Sequence, residues 1–390
     1  MRATSLKNLT SVAVAALTLS SVGLAGASAG AASTHATMYA CKTKSVISRV
    51  SVAPHACPRG ATKYVRPFAG ANLTGVNLVG ANLAGAVMAR TTLNKVVVWG
   101  AITGQPASLP ANWTVAGGYL MGPTANLSGA TLLNLDLTGA NLSSANLSGV
   151  ASAGLTGQPS ALPVNWRLVA GYLVGPSANL SGVDLTAADL SSANLSGANF
   201  YGATLTQTNF TNANLKGASI SGATLTDAVF TGATLTGIIS AYEVGYPAAL
   251  PDKWHIMNGP YQGMTVEYLV GPGASIGGAH LPGLSFAHLD LTGIYMPGSE
   301  LVGTDFTGAT LVNASMGSSN FGHALFVGAN LTGADFTAAD LSGADFTNAN
   351  FTNANLIGAR LLSVAGHGTA TFTGAMCPDG VKYGQPGANC

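Results

Sequence analysis

From Ala178 to Gly237 the chain reads ANLSG VDLTA ADLSS ANLSG ANFYG ATLTQ TNFTN ANLKG ASISG ATLTD AVFTG ATLTG. Each pentapeptide has a large apolar residue at its third position and, with two exceptions, alanine at its first. The third-position residues are Leu180, Leu185, Leu190, Leu195, Phe200, Leu205, Phe210 and Leu215, followed by Ile220, Leu225, Phe230 and Leu235. A repeat this regular governs the interpretation of the rest of the chain.

The same five-residue frame recurs in three other parts of the sequence. It runs from Phe68 to Val98, from Leu127 to Leu147 and from Ile276 to Leu361. The repeats account for the 51 glycines among 390 residues and for a charged fraction of only 7%. So low a charge argues against a strongly basic nucleic-acid-binding protein.

A period of five fits neither an amphipathic helix nor a flat strand, whose side chains repeat every 3.6 and 2.0 residues. Within a unit, however, the first and third residues are small or apolar and the second is polar, as in a short strand. The fourth and fifth residues, often Ser-Gly or Thr-Gly, favour a turn. We therefore expect short extended sides and corners that coil repeatedly, with third-position side chains inside and neighbouring backbones about 4.8 Å apart.

The A-(N/D)-(L/F)-(S/T)-G units resemble the pentapeptide-repeat family, and the resemblance covers more than half of the chain. It implies an all-β fold, a right-handed quadrilateral β-helix (β-solenoid) with four pentapeptides in each coil. The expected coil segments are 67–102, 125–156, 178–239 and 273–365.

Three inserts interrupt the repeats, at 103–124, 157–177 and 240–272, and they resemble one another. Each contains a Leu-Pro pair, a tryptophan three residues beyond that proline, then Tyr-Leu and a closing Gly-Pro. Aromatic residues around a Gly-rich turn predict a small β-hairpin that stands off the coils. The aromatic residues of the inserts are Trp113 and Tyr119, Trp166 and Tyr172, and Trp254 and Tyr268.

These six aromatic side chains have two interpretations. They could form a patch that contacts sugar or cell wall, or each tryptophan could pack its hairpin onto the neighbouring coil. Both interpretations are open from the sequence, although bulky aromatic residues are more often buried than bound to a ligand.

The first residues predict export. Arg2 and Lys7 precede a short apolar stretch from Ser11 to Leu24, which ends in small residues suited to cleavage, so residues 1–29 are expected to be a signal peptide. Residues 30–66 form a basic segment with six Lys or Arg and no acid. We therefore expect a secreted, extracellular protein, here interpreted as a bacterial one, whose mature chain has no apolar run long enough to span a membrane.

Four cysteines flank the repeats, at Cys41, Cys57, Cys377 and Cys390. Export favours disulfides, and four cysteines allow three pairings. The simplest is local, Cys41 with Cys57 and Cys377 with Cys390, within an N-terminal segment and a C-terminal cap at 366–390 that would cover the ends of the coils.

No motif for catalysis, a metal or a cofactor is recognisable. The histidines are scattered without metal-ligand spacing, and neither a nucleophile elbow nor a phosphate-binding loop occurs. The sequence therefore predicts a non-enzymatic structural or binding module with no cofactor and no nucleic-acid partner, acting on cell wall or carbohydrate. Two alternatives stay open: a DNA-mimicking inhibitor of gyrase, as in some members of the family, and an ice-binding surface that uses Thr186, Thr206 and Thr226.

Overall fold

The structure is a computed structural model, and it describes residues 39–43, 46–51, 62–65, 69–98, 100–261, 264–388 and 390. The predicted signal peptide, residue Cys57 and the first expected core residue, Phe68, lie outside these residues. The pairing of Cys41 with Cys57 therefore stays a prediction.

The described part of the chain is all-β and contains no α-helix. Its eleven strands are β1 (Tyr39–Thr43), β2 (Val46–Ser51), β3 (Thr62–Val65), β4 (Thr114–Ala116), β5 (Tyr119–Met121), β6 (Thr131–Leu133), β7 (Ala151–Ala153), β8 (Arg167–Val169), β9 (Tyr172–Val174), β10 (His255–Tyr261) and β11 (Met264–Val270). A single 3₁₀ turn spans His367–Thr369 in the same part of the chain. Within these residues, no helix has the length and apolarity needed to cross a bilayer.

Parallel backbone pairing connects residues that are twenty positions apart. Asn179 pairs with Asn199, which pairs with Ser219, and the same column reaches Ile239. Strands β6 and β7 form one longer parallel contact of this kind. Because one unit has five residues, each unit stacks on the unit four repeats further along, so that the repeats form a β-helix of stacked coils.

The composition of a unit follows from its local hydrogen bonds. In the unit that contains Leu185, the carboxylate of Asp184 accepts hydrogen bonds from the backbone N–H of Thr186 (2.9 Å) and from its hydroxyl (2.6 Å). The carbonyl of Leu185 accepts the N–H of Ala188 at 2.9 Å, which closes a turn whose fifth-position residue, Ala187, has φ 56°. Asn or Asp at the second position thus holds the turn, and a left-handed fifth position favours glycine or asparagine.

The third-position side chains form the interior of the coils. All eight of the set from Leu180 to Leu215 are fully buried, as are Leu225 and Phe306. Phenylalanine rings stack along the column: Phe286 and Phe306 lie 5.0 Å apart and nearly parallel, and Phe326 continues the stack 5.2 Å from Phe306. Each buried ring or leucine contributes roughly 1.5–3 kcal/mol to folding.

Several positions depart from the simple pattern, and Thr208 and Leu361 are two of them. Thr208 replaces the first-position alanine and is buried, but its hydroxyl donates a hydrogen bond to the carbonyl of Leu185 at 2.8 Å. Leu361, expected to line the interior, is only half-buried. It lies where the regular coils end, beside a mixed cavity of about 350 Å³ that also touches Leu362 and Cys390, and there is less chain to cover it.

The inserts interrupt the coils later than the sequence indicates. Thr103 pairs with Asn82 and Ser108 with Val87, so the first insert still follows the coil beyond its predicted start at 103. The second and third inserts likewise continue the parallel pairing to Ala161 and Ala249. The hairpins themselves are β4–β5, β8–β9 and β10–β11, all antiparallel.

The two ends of the chain differ from the coils. Strands β1–β3 form an antiparallel sheet in the order β2-β1-β3, and Cys41 lies in its central strand. At the other end, the coil pairing extends through Thr371 to Met376. A disulfide then joins Cys377 to Cys390 with their Cα atoms 4.7 Å apart, and the loop of this size stabilises the end by about 3 kcal/mol in the chain-entropy model.

Candidate functional site

The three tryptophans of the inserts pack on glycines of their own hairpins. A β-carbon on Gly271 would lie 2.5 Å from Cδ2 of Trp254, and β-carbons on Gly122 and Gly175 would overlap their tryptophans similarly. All three indoles are half-buried against the apolar core of the coils. This explains why each insert combines a tryptophan with a Gly-Pro pair: the glycine gives the ring room to cover the strand.

The hairpins lie against the coils, which corrects the expectation that they stand off. Leu120 and Met121 of β5 are fully buried, and so is Leu173 of β9. The physical reason is the apolar sequence of the second strand of each hairpin, which needs the coil core to cover it. The hairpins therefore extend the core of the coils.

The tyrosines of the inserts occupy different environments. The hydroxyl of Tyr119 donates a hydrogen bond to the carbonyl of Thr131 at 2.7 Å, and both Tyr119 and Tyr172 are half-buried. Tyr268 is only 1% exposed, so its proposed role in ligand contact is wrong. Its side chain lies on the face of β11 that packs into the core of the following coils, and burial raises the pKa of Tyr268 to about 12.

The third insert contains two buried carboxyl groups that the motif search missed. Glu243 is fully buried and Glu267 of β11 is 9% exposed. The two residues face each other across an antiparallel bridge, with hydrogen bonds from Glu243 N to Glu267 O at 3.2 Å and from Glu267 N to Glu243 O at 3.3 Å. Burial raises the pKa of Glu243 to about 8, and it raises the pKa of Glu267 as well.

Second-position side chains form ladders on the outside of the coils. The amide of Asn199 donates to Oδ1 of Asn179 at 3.4 Å, and the amide of Asn209 donates to Asp189 at 3.1 Å. The acids do not form a continuous row in these ladders: Leu325 stands between Asp305 and Asp345. Asp335, Asp340 and Asp345 lie in three separate ladders, so they form no paired carboxylate site.

One ladder presents two large apolar or aromatic side chains to solvent, whereas Val244 and Leu325 are exposed in other ladders. Ile239 and Tyr295 belong to it, are 46% and 51% exposed, and have Ser275 between them. Tyr201, which is 61% exposed, lies two residues after Asn199 of the same ladder. We call these three side chains and their small polar neighbours the tyrosine face. The sequence signal was present, since these positions break the Asn, Ser and Thr pattern of the outer surface.

No described group of three or more His, Cys, Asp or Glu residues is arranged to hold a metal ion. In the described part of the chain, the ion pairs are Lys253 with Asp290 at 2.8 Å and Arg360 with Asp340 at 3.8 Å, both partly exposed. Exposed pairs of this kind contribute little to stability.

Comparison with known proteins is consistent with the repeat. The sequence model described as pentapeptide repeats matches eight copies, which lie within residues 68–100, 125–151, 178–217, 208–238, 285–322 and 329–361. No curated protein matches the chain.

Three solved structures of repeat proteins are similar. HetL of the cyanobacterium Nostoc sp. strain PCC 7120, a pentapeptide repeat protein involved in heterocyst differentiation regulation, is 25% identical over 66% of this chain and 91% of its own, with a TM-score of 0.28. QnrB1, a plasmid-mediated fluoroquinolone resistance protein, is 18% identical over 60% of this chain and 89% of its own, with a TM-score of 0.23. A pentapeptide repeat protein of the Arabidopsis thaliana thylakoid lumen is 33% identical over 26% of this chain and 63% of its own, with a TM-score of 0.15.

Three observations agree with one another: the five-residue repeat units, their parallel stacking at a spacing of twenty residues and the match to the family model. The chain belongs to the pentapeptide-repeat family.

Proposed function

We propose that this protein is an exported, non-catalytic binding module whose tyrosine face contacts a neutral carbohydrate polymer such as a cell-wall polysaccharide. The observation that carries the proposal is the exposure of Ile239 and Tyr295 in one ladder of stacked units, with the exposed Tyr201 two residues after Asn199 of that ladder. Pentapeptide-repeat proteins are generally structural or binding proteins, and export is proposed from the signal-like segment at residues 1–29.

The chemistry of the tyrosine face suits a sugar. A phenol ring offers an apolar surface together with a hydroxyl group that can donate and accept a hydrogen bond. Ser219 and Ser275 lie in the same ladder as Ile239 and Tyr295, so hydroxyl groups alternate with the larger side chains. A flat, uncharged face with this alternation favours a neutral, extended polymer over a charged ligand.

The geometry of the coils supports the idea of a flat face. We infer that each coil is four-sided, because parallel partners are twenty residues apart and each unit contributes five. The right hand of the coil is what membership of the family implies. The three hairpins then cover parts of the coil stack, and the aromatic residues of the hairpins pack against its core. This assignment moves the candidate contact surface from the tryptophans of the inserts to the outer face of the coils.

The mature protein should be retained on insoluble cell-wall polysaccharide, measured as the fraction bound at increasing amounts of polymer. The double variant Tyr201→Ala, Tyr295→Ala should bind about tenfold more weakly, since each aromatic contact contributes on the order of 0.5–1.5 kcal/mol. Tyr383→Ala is the matched control, because this exposed tyrosine lies near the C-terminal end. Equal retention of the double variant and the control, or no retention of the parent protein, would contradict the proposal.

A further inference from the structure

The third hairpin differs from the first two at two facing positions. The N–H of Ile102 donates to the carbonyl of Gly118 at 2.7 Å, and that of Leu155 donates to Gly171 at 3.0 Å. In the third insert the same contact joins Glu243 to Glu267. An aliphatic residue and a glycine in the first two inserts are thus replaced by two glutamates.

The replacement places two acids in a buried site whose hydrogen bonds satisfy the carboxylates only in part. One carboxylate oxygen of Glu243, Oε1, accepts the N–H of Ala241 at 2.8 Å. The other, Oε2, is buried and has no hydrogen-bond partner among the described residues. Directly opposed residues in an antiparallel pair project from the same face, so two negative charges here would repel each other. Neither glutamate takes part in an ion pair in the described part of the chain.

We propose that Glu243 and Glu267 form a proton-dependent latch that holds the third hairpin against the coils. The latch is closed while Glu243 carries a proton, because a neutral acid tolerates burial and does not repel Glu267. It loosens when both groups are ionised, and hairpin β10–β11 then separates from the segment around Glu243. The first two hairpins lack both acids and have no such latch.

The groups around Glu243 determine the direction of the response. On its own segment, Ser240 and the N–H of Ala241 favour the charged form, and Tyr242 lies close to Tyr268. Strand β11 contributes Glu267 and Tyr268, and strand β10 contributes Asn258, which pairs in register with Glu267. The following coil reaches this region with the backbone N–H of His280, which donates to the Tyr268 hydroxyl at 3.4 Å.

Among these influences, burial is the largest and raises the pKa of Glu243 from 4.5 to about 8, and the charge of Glu267 acts in the same direction. The pKa of Glu243 is therefore higher when the third hairpin is closed against the coils than when it is open. The stabilisation of the closed hairpin by protonated Glu243 is complete below about pH 4.5, declines as the pH rises and is lost once the pH passes about 8. The opening equilibrium of the third hairpin should increase about 30-fold between pH 6.5 and pH 9.5 by this linkage.

Amide hydrogen exchange of the full-length protein, corrected for the intrinsic effect of pH on exchange, tests the latch. Peptides that cover β10 and β11 should lose protection by about that factor between the two pH values. Peptides that cover β4–β5 and β8–β9 serve as internal controls and should change little. The variant Glu243→Leu, which restores the residue of the second insert, and the isosteric Glu243→Gln should both remove the response.

Two results would overturn the latch. One is a third hairpin whose protection follows that of the other two across the pH range. The other is a pH response of the third hairpin that persists in Glu243→Gln, which keeps the shape of the side chain and lacks the ionisation.

Discussion

The indole of Trp254 covers Gly271 so closely that a β-carbon at position 271 would lie 2.5 Å from Cδ2 of the ring. The same relationship joins Trp113 to Gly122 and Trp166 to Gly175. Each tryptophan thereby covers a glycine of its own hairpin, because the ring needs a residue without a side chain beneath it, while the ring also packs against the core.

Gly271→Ala should therefore displace the Trp254 ring and lower the thermal melting temperature. Forcing extra volume into a packed site costs about 1–3 kcal/mol. Tryptophan fluorescence during a thermal melt would record both the stability and the new environment of the ring. Gly368→Ala is the control, since a β-carbon there meets nothing within 4 Å. Equal melting temperatures for the two variants would show that the ring has room to move.

The interior column gives the largest expected effect of a single substitution. Leu205 is fully buried, whereas Thr206 next to it is half-buried on the outer side. Leu205→Asp places an unpaired charge in the core, and Leu205→Ala alone should cost about 2–5 kcal/mol. Thr206→Asp should change stability little. Chemical denaturation followed by circular dichroism measures the free energy of unfolding of each variant. A loss in Thr206→Asp comparable to that in Leu205→Asp would refute the assignment of Leu205 to the interior and Thr206 to the outer surface.

The left-handed fifth position allows a stabilising substitution. Ala187 and Ala338 have φ angles of 56° and 58°, a region that alanine enters at a cost and glycine enters freely. Ala187→Gly and Ala338→Gly should each raise the unfolding free energy by up to about 1 kcal/mol, because relief of backbone strain outweighs the greater entropy of the unfolded chain. Ala203→Gly, at a buried first position, should lower it. If Ala187→Gly destabilises the protein as much as Ala203→Gly, the strain argument fails.

The acids of the second position predict sensitivity to low pH. Hydrogen bonds from the Thr186 side chain and backbone lower the pKa of Asp184, and Ser342 acts in the same way on Asp340. For groups whose pKa is lower in the folded protein, the stabilisation is present above the ordinary value of 3.8 and is lost as pH falls through the folded value.

The melting temperature should accordingly decrease when the pH is lowered below about 4. Asp184→Asn keeps an oxygen acceptor but removes the ionisation, so it should weaken this dependence. If the melting temperature decreases equally at low pH in Asp184→Asn and in the parent protein, this turn does not contribute to the sensitivity to acid.

The coil stack was predictable because its signal is redundant. Every unit repeats the same choice of an apolar third residue and a polar second residue, so Leu180, Phe200 and Leu215 are identified by their neighbours as well as by themselves. The pattern overestimates the burial of Leu361, because it does not reveal where the covering coils end. The position of Thr208 inside the coil followed from the frame, although its hydrogen bond to Leu185 did not.

The inserts were predictable only in part, because each is a short sequence without periodicity. Tryptophan, tyrosine and glycine indicate a hairpin, but they do not say which face the coils will cover. For this reason the sequence leaves Tyr268 among the candidates for ligand contact, although the structure buries it. Glu243 could have been found by aligning the three inserts, which sets it against Ile102 and Leu155 and marks an acid at an apolar position.

The stacking of units at a spacing of twenty residues is tested most directly by disulfide cross-linking between paired positions. Asn199 and Ser219 are parallel partners in adjacent coils, whereas Asn199 and Asn214 are separated by fifteen residues. Cysteines at 199 and 219 should form a cross-link under mild oxidation, detected as a linked peptide by mass spectrometry, and cysteines at 199 and 214 should not. A cross-link between 199 and 214 with none between 199 and 219 would contradict the coil stack itself.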